Sequence, residues 1–270
     1  MSNTKYDTPE LAERYDRISD NQFEKGSLLL EMMGLKRGDT VLDVGCGTGR
    51  LALRASDIVG ASGRIFGLDP SLPRVRIAES KLKDMVLDNV RFLQGQAEDL
   101  GIFSDNSFDH VYYSSVFHWI EDKGAALKEA YRVLKPGGKI GMTTGDRNNP
   151  FTLRAITNEL IVREPYKGKV KASDDASKPV TGGELSKLLS EAGFRDVEVV
   201  LQEKKRYYSS PKEAFDFSEA SSFGNSLKHI PESLRAQAMN DIAAELEKRR
   251  TPAGIELMNS SLFGIATKPV

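Results

Sequence analysis

The sequence predicts an α/β protein built on a doubly wound, mostly parallel sheet of seven strands, with a helical cap added to it. One observation behind this is that short apolar runs alternate with helical segments over residues 40–145. A second is the β-branched run at 41–44, which stops at glycines 45, 47 and 49 and is followed by a helical segment. A buried strand that enters a glycine turn and then a helix is the repeating corner of such a sheet.

The first half of the chain predicts the main part of the sheet. Leu11, Tyr15 and Ile18 recur on one helical face, so residues 5–33 are expected to be helical. Proline and glycine at 135–138 end a helix and turn the chain into a strand. The predicted strands are 41–44, 64–68, 90–94, 108–114 and 139–144, and the helices between them are 51–55, 74–87 and 123–134.

Composition shifts after Gly145 and sets the predicted domain division. The later chain predicts helices at 151–162, 181–192 and over much of 211–250, and strands at 197–201 and 262–267. Phe215, Phe217 and Phe223 are most simply the core of a cap, and the functional alternative is that they line an apolar pocket. We expect a main core with N-terminal helices at 1–145, a cap at 146–180 and 209–255, and the rest of the sheet at 181–208 and 256–270.

Composition limits the classes of partner and the compartment. The 38 basic and 39 acidic residues leave a net charge of −1, which shows no electrostatic footprint for nucleic acid or an anionic membrane. The single cysteine, Cys46, excludes an intramolecular disulfide and is typical of the reducing cytoplasm. The first ten residues lack the apolar core of a signal peptide, and no run approaches a membrane span. We therefore expect a cytoplasmic protein with neither nucleic acid nor a membrane as its partner.

The glycine turn predicts a site for a nucleotide-type ligand. Glycines let a ligand reach the main chain, and the helix that follows offers free N–H donors. Asp69 lies twenty residues after Gly49, at the end of the next strand, where a carboxylate suits the two hydroxyls of a ribose. The spacing is G-x-G-x-G with Arg50 in the next place, which disfavours the G-x-G-x-x-G of a dinucleotide site.

Five motifs in order resemble the Rossmann-like, class I S-adenosylmethionine-dependent methyltransferases: VLDVGCGTG (41–49), GLDPS (67–71), GQAEDL (95–100), FDHVYYSSVFHW (108–119) and RVLKPGGKI (132–140). The resemblance implies S-adenosyl-L-methionine as the cofactor, with Asp43 and the glycines around its methionine part and Asp69 on its ribose. It also implies that Ser114 offers a carbonyl to the amino group and that Gln96, Ala97 and Glu98 face the adenine, although family members often have Asp-Ala at 96–97. The implied cofactor-binding residues are Tyr15, Asp43, Gly45, Cys46, Gly47, Gly49, Asp69, Pro70, Gln96, Ala97, Glu98 and Ser114.

A narrower resemblance implies that the acceptor of the methyl group is a small molecule. Residues 117–119, FHW, and 15–26, YDRISDNQFEKG, resemble the trans-aconitate and juvenile hormone acid methyltransferase-like group. That resemblance implies that Gln22 and Trp119 hold an acceptor carboxylate. A carboxylic acid is already ionised at neutral pH, so no general base is required. The chain also lacks the N/D-P-P-Y/F tetrad and a cysteine for covalent attack, which steers away from base methylation.

Several alternatives stay open from the sequence. The acceptor could be a quinone or phenol methylated at carbon or oxygen, with His118 as the base. Trp119 could be a core aromatic, His118 a hydrogen-bonding residue, and His110 and His229 structural or exposed. The chain could also be a non-catalytic module that binds the cofactor, while an NAD oxidoreductase is disfavoured by the glycine spacing. No metal ligands are assigned.

Overall fold

The computed structural model describes residues 7–83, 85, 87–170, 177–223 and 226–270. Its helices are α1 (Pro9–Ile18), α2 (Asp20–Met33), α3 (Arg50–Val59), α4 (Leu72–Lys83), α5 (Lys123–Val133), α6 (Thr152–Ile161), α7 (Gly182–Glu191), α8 (Pro211–Ser221) and α9 (Glu232–Glu247). Its strands are β1 (Thr40–Val44), β2 (Arg64–Asp69), β3 (Val90–Gln94), β4 (Phe108–Ser114), β5 (Leu134–Gly145), β6 (Arg195–Tyr208), β7 (Arg250–Thr251) and β8 (Gly254–Thr267). A 3₁₀ turn, Phe117–Trp119, follows β4.

The strands form one sheet in the order β3-β2-β1-β4-β5-β8-β6, with the two-residue β7 paired to β8. Strands β1 to β5 are parallel, and β8 runs antiparallel to both β5 and β6. This confirms the predicted mostly parallel sheet of seven strands, to which β7 adds a short eighth. Because β1 has β2 on one side and β4 on the other, the connections that leave β1 and β4 diverge and open a crevice at the carboxyl ends of these strands.

Local signals in the sequence account for several helix ends. Thr8 caps α1 by accepting the Leu11 N–H at 3.2 Å, and proline follows it at the first helical position. Helix α2 ends at Gly34, whose φ of 70° is the left-handed conformation that glycine adopts without strain. Thr181 and Glu184 form a reciprocal capping box at the start of α7.

Apolar side chains cover both faces of the sheet, and the helices α6, α8 and α9 carry a further core of their own. On one face Leu127 of α5 and Leu185 of α7 are fully buried, and on the other Leu30 and Met33 of α2 pack with α3. The further core joins buried residues of three helices and β8, namely Leu153, Phe217, Ile242, Leu246, Ile255 and Leu257. The helices α6, α8 and α9, called the cap below, therefore share a core of their own. The predicted division of the chain into a core and a cap stays a prediction.

Some predicted boundaries were wrong. The N-terminal helical segment divides at Ser19, α4 ends at Lys83, and β5 begins at Leu134, the last residue of the predicted helix, and runs through the predicted turn, with its register against β4 shifting there. Strands β6 and β8 are each 14 residues long, because their antiparallel pairing continues past the main sheet as a ribbon. The β6 half of that ribbon is largely polar, so apolar alternation does not reveal it, whereas Ile255 and Leu257 of β8 alternate into the core shared with α6, α8 and α9.

Parts of the predicted elements lie outside the described residues: 5–6 of the N-terminal segment, 84 and 86 of the helix predicted at 74–87, and 171–176 and 224–225 of the predicted cap. Among the helices of the described residues, none combines the length and the apolar character needed to cross a lipid bilayer.

Candidate active site

The glycine turn after β1 presents bare main chain to the crevice. Gly45, Gly47 and Gly49 all have positive φ, at 79°, 54° and 80°. A Cβ on Gly45 would lie 2.3 Å from the Val116 side chain, and one on Gly49 would lie 2.6 Å from Phe92, so both positions exclude larger residues. Gly47 has only Tyr15 within 4 Å of such a Cβ, at 3.5 Å, and it lines the cavity described below.

Asp69, at the end of β2, lies against this turn. One carboxylate oxygen accepts the Gly47 N–H at 2.9 Å and the other accepts the Ser71 N–H at 2.8 Å. Burial raises the pKa of Asp69, and the nearby Arg74 guanidinium opposes that rise. A carboxylate has about four acceptor sites, so roughly two remain for the hydroxyl groups of a ligand.

Asp43 and Cys46 lie behind the turn and line a second, smaller cavity of about 40 Å³. Asp43 is 1% exposed, and burial raises its pKa to about 8. Neither of its carboxylate oxygens meets hydrogen-bond geometry with the described residues, although the Tyr112 hydroxyl beside it opposes the rise in its pKa. Burial also raises the pKa of the Cys46 thiol, which argues against a nucleophile and for a packing role. With the Tyr112 hydroxyl beside it out of bonding geometry, the Asp43 carboxyl is suited to a ligand that donates hydrogen bonds.

The N-terminal helices cover the turn from above. Tyr15 of α1 lines both cavities, as does Gln22 of α2, whose buried Oε1 has no hydrogen-bond partner within the described parts of the chain. Asp16 ties α1 to the turn by accepting the Thr48 hydroxyl at 2.6 Å. Tyr15 and Gln22 therefore lie between the turn and the larger cavity, and their roles toward the cofactor and the acceptor stay predictions.

His118 lies in the 3₁₀ turn after β4, and its Nδ1 atom contacts polar groups at the end of β5. The Gly145 N–H donates to Nδ1 at 3.4 Å, and the Thr144 hydroxyl lies 3.3 Å away. Burial, with the positive charges of Arg154 and Lys25, lowers the pKa of His118 to about 3. The imidazole is therefore neutral at pH 7. Because Nδ1 accepts a backbone N–H, the geometry assigns the proton to Nε2, which then donates a hydrogen bond instead of accepting a proton.

Trp119 lies beside His118 and is half-buried. Its ring meets that of Phe223 edge-on, with centroids 5.4 Å apart, and both side chains line the larger cavity. The interpretation of Trp119 as a core residue is thus set aside in favour of a place in the cavity wall. Phe215 and Phe217 line the same cavity, so these phenylalanines serve both the cap core and the pocket.

The larger cavity has a volume of about 560 Å³ and lies between the crevice and the cap. Four cations line it that the sequence analysis did not single out, namely Lys25, Arg74, Arg147 and Arg154. Arg74 pairs with Asp7 and Arg147 with Glu184, which leaves Lys25 of α2 and Arg154 of α6 without a carboxylate partner among the described residues. Lys25 donates to the Ser261 hydroxyl at 3.1 Å, and burial and the nearby Arg206 lower its pKa to about 8. Arg154 has no hydrogen bond or ion pair with any residue of 7–83, 85, 87–170, 177–223 or 226–270. The cavity therefore presents positive charge without a carboxylate partner.

A sequence signal for these two cations does exist. Neither Lys25 nor Arg154 has an acidic residue three or four positions away on its helix, whereas a surface cation such as Arg163 pairs with Glu159 at that spacing. His229, expected to be structural or exposed, also lines the cavity, and burial with the charge of Arg154 lowers its pKa. His110 lies apart from it, 3.1 Å from Asp39.

The structure brings most of the predicted cofactor residues to these two cavities, with Ser114 lining both and Pro70 the larger one. Four predicted residues are not in the lining. Gly49 is the N-cap residue of α3, and Ala97 is buried in the core that includes β4. Glu98 accepts the Glu121 N–H at 3.3 Å, and Gln96 is exposed. The contact of residues 96–98 with the adenine stays a prediction.

Comparisons with known proteins agree with this geometry. A family model described as a methyltransferase domain matches residues 42–142. A demethylmenaquinone methyltransferase from Staphylococcus carnosus (strain TM300) is 33% identical over 204 residues, which are 70% of this chain and 83% of that protein. The chain belongs to the S-adenosylmethionine-dependent methyltransferases.

Solved structures of other proteins resemble this methyltransferase. The crystal structure of a SAM dependent methyltransferase from Aquifex aeolicus is 25% identical with a TM-score of 0.54, covering 72% of this chain and 92% of that one. The YcgJ protein from Bacillus subtilis matches with a TM-score of 0.64 over 92% of this chain and 99% of its own, and at 19% identity this shows the fold alone. The predicted cofactor, S-adenosyl-L-methionine, and the predicted enzyme class are confirmed.

Proposed function

We propose that this methyltransferase transfers a methyl group to a carboxylate oxygen of a small molecule held in the larger cavity. The observation that carries the proposal is the pair of cations, Lys25 and Arg154, that line this cavity without a carboxylate partner among the described residues. A buried or cavity-facing charge is costly unless it is paired, so a pair of such cations is suited to an anionic ligand.

The cofactor residues follow from the same geometry. Asp69 would hold the ribose with its two remaining acceptor sites, and the buried Asp43 would accept hydrogen bonds from the methionine end. Gly45 and Gly47 leave the main chain open for the ligand to approach. When bound, S-adenosylmethionine supplies a methyl group on a positively charged sulfur, which needs no metal and no activated cofactor intermediate.

The protein's own residues would then align the acceptor and exclude water. A carboxylate has a pKa of about 4 and is already ionised at neutral pH, so no residue has to remove a proton. Gln22 and Trp119 would position the acceptor from two sides, while Lys25 and Arg154 hold its charge. His118 would donate its Nε2–H to an acceptor oxygen, which is a binding role and not that of a base.

The test is a methylation assay on a panel of small carboxylic acids and phenols, with S-adenosylhomocysteine release as the readout. We expect turnover with acids, and a rise of about 10-fold to 100-fold in acceptor KM in Lys25→Met and in Arg154→Met, as expected when a charged hydrogen bond is lost. The matched control is Arg147→Met, because Arg147 lines the same cavity but is already paired with Glu184. Turnover with phenols alone, or an equal effect of all three substitutions, would contradict the carboxylate assignment.

A quinone or phenol acceptor is the second candidate. It is favoured by the name of the relative, a demethylmenaquinone methyltransferase, and by the aromatic wall of Trp119, Phe215, Phe217 and Phe223. This relative does not carry the name of the acid methyltransferases that residues 15–26 and 117–119 resemble. In this candidate Lys25 and Arg154 would stabilise an ionised phenol oxygen, and the same panel separates the two acceptors.

A further inference from the structure

Arg74, in the first turn of α4, is a buried cation that the transfer reaction does not use. It is 3% exposed and pairs with Asp7, with Nε 2.7 Å from one carboxylate oxygen and Nη2 3.4 Å from the other. The side chains of this ion pair are 4% and 0% exposed. Both partners are therefore removed from water, and the two-point contact fixes the plane of the guanidinium.

The guanidinium also lies between two aromatic rings from different parts of the chain. Its central carbon is 4.2 Å from the ring centroid of Tyr15 in α1 and 4.2 Å from that of Phe223, just beyond α8. Its Nη2 donates to the Ala220 carbonyl at 3.2 Å, near the end of α8. A planar cation can stack on two rings and pair with a carboxylate at once, which a lysine ammonium cannot do.

Each contact of Arg74 leads to a different side of the active site. Tyr15 is the residue that lies over Gly47 in the glycine turn. Phe223 packs edge-on against Trp119 in the wall of the larger cavity. Arg74 thus joins a side chain above the cofactor turn to a side chain of the cavity wall, and it lines the larger cavity itself.

The same carboxylate is tied to the ribose-binding end of β2. Ser71 donates its hydroxyl to Asp7 at 2.7 Å and its backbone N–H to Asp69 at 2.8 Å. Asp7 is therefore held by the residue that also holds Asp69, and Arg74 completes the group. The N-terminal segment is attached to the cofactor side by this contact.

We propose that Arg74 is a positioning residue that keeps the cofactor side and the cavity wall closed together. It holds Tyr15 over the glycine turn and, through Phe223, holds Trp119 in the wall. A buried ion pair contributes little net stability but favours one arrangement over others, which is the contribution that such a role requires. The inference concerns the cofactor side and Trp119, so it stands for either acceptor considered above.

The experiment follows two readouts that need no acceptor: the dissociation rate of S-adenosylhomocysteine, and the fluorescence of Trp119, which is the only tryptophan of the sequence. In Arg74→Lys, which keeps the charge and loses the stacking plane, we expect dissociation to be about tenfold faster, because the loss of a closing contact acts mainly on dissociation. We expect the Trp119 emission to move to longer wavelength in the same variant, at an unchanged melting temperature.

Two further variants separate the contacts. Phe223→Leu removes one ring and leaves the ion pair and Tyr15 in place, so it should shift Trp119 emission and change the dissociation rate less than twofold. Asp7→Asn keeps the hydrogen-bonding shape and removes the charge, and because it leaves the buried Arg74 without a counter-charge its dissociation rate is measured at a temperature where the variant is folded. Phe223→Leu keeps the ion pair, so it reports on Trp119 even if Arg74→Lys fails to fold. Like Arg74→Lys, Asp7→Asn should make the dissociation of S-adenosylhomocysteine faster.

The matched control is Arg206→Lys. Arg206 also faces two rings, those of Tyr208 and Phe217 at 5.4 and 4.7 Å, but has no contact with the glycine turn or α1. It should leave both readouts unchanged. Unchanged dissociation in both Arg74→Lys and Asp7→Asn would overturn the proposal, as would faster dissociation without a shift in Trp119 emission. Because neither readout needs an acceptor, the proposal for Arg74 can hold even if the protein methylates no carboxylic acid.

Discussion

The glycine turn and the acceptor cavity lie side by side, but they are assembled from the chain in different ways. The turn and Asp69 come from two consecutive strand ends of one sheet, and the contact between them is a single hydrogen bond of 2.9 Å across 22 residues. The cavity combines α2, the turn after β4, α6, a segment before α9 and β8. One of its contacts, from Lys25 to Ser261, spans 236 residues.

The glycine turn and the cavity therefore offer a ligand different kinds of interaction. The turn offers main chain, whose geometry is set by positive φ at three glycines, and one carboxylate that the backbone already orients. The cavity offers side chains, two of them cations without a carboxylate partner in the described chain. Substitutions at the turn should therefore affect every acceptor equally, whereas substitutions in the cavity should change one acceptor relative to another.

The largest effect is expected at Asp69. Asp69→Asn keeps the shape but replaces a charged acceptor, so cofactor affinity should fall about 10-fold to 100-fold, or roughly 1.5–3 kcal/mol. Titration calorimetry with S-adenosylhomocysteine measures it. Asp146→Asn is the control, because Asp146 is also buried beside the cavity but binds the backbone of Asn148 and the amide of Asn149. A similar loss of affinity in both variants would show that Asp69 has no special role in binding the cofactor.

A second effect is expected from pH on the cavity side, measured at saturating S-adenosylmethionine because Asp43 on the cofactor side also titrates near pH 8. The pKa of Lys25 is lowered to about 8, so the lysine is mainly cationic at pH 7 and mainly neutral at pH 9. The cation is needed to bind an anion, so kcat/KM for the acceptor should fall about tenfold between pH 7 and pH 9, following the protonated fraction. Lys25→Arg stays charged over this range and should remove the fall. A profile that declines equally in that variant would assign the titration to another group.

The smallest effect is expected at His118. In His118→Gln the amide can still donate a hydrogen bond, so carboxylate methylation should change by no more than about threefold, since general-base catalysis worth about 10²–10⁴ is not in use. Cofactor affinity should not change. A loss of two or more orders of magnitude would return His118 to the role of a base and favour the phenol or quinone acceptor.

Reasoning from sequence reached candidate residues most directly where these are neighbours in the chain. The glycines 45, 47 and 49, Asp43 and Asp69 are recognisable because strand, turn and helix are local and because the next strand end follows at a regular spacing. His118 and Trp119 were found by the same logic, since they follow β4 directly. The proton position on His118 was not predictable, because it depends on the N–H of Gly145 from the neighbouring strand β5.

The cap was predicted as helical, and its helices α6, α8 and α9 lie in the expected ranges. Its contribution to the site was not predicted. Arg154 and Lys25 lack acidic neighbours at helical spacing, but only folding brings them to one cavity with His229. The length of β6 and β8 was missed for a related reason, since the β6 half of the ribbon is largely polar and the alternation of Ile255 and Leu257 in β8 is short.

Cofactor chemistry could thus be inferred from residue order alone, because a nucleotide-type site at a strand end uses main chain and short local spacings that repeat in any chain of this fold. The charge of the acceptor cavity could not, because it depends on which side chains from distant helices meet without a partner. That outcome is set by how the cap packs on the sheet, and packing joins residues that no spacing in the chain connects.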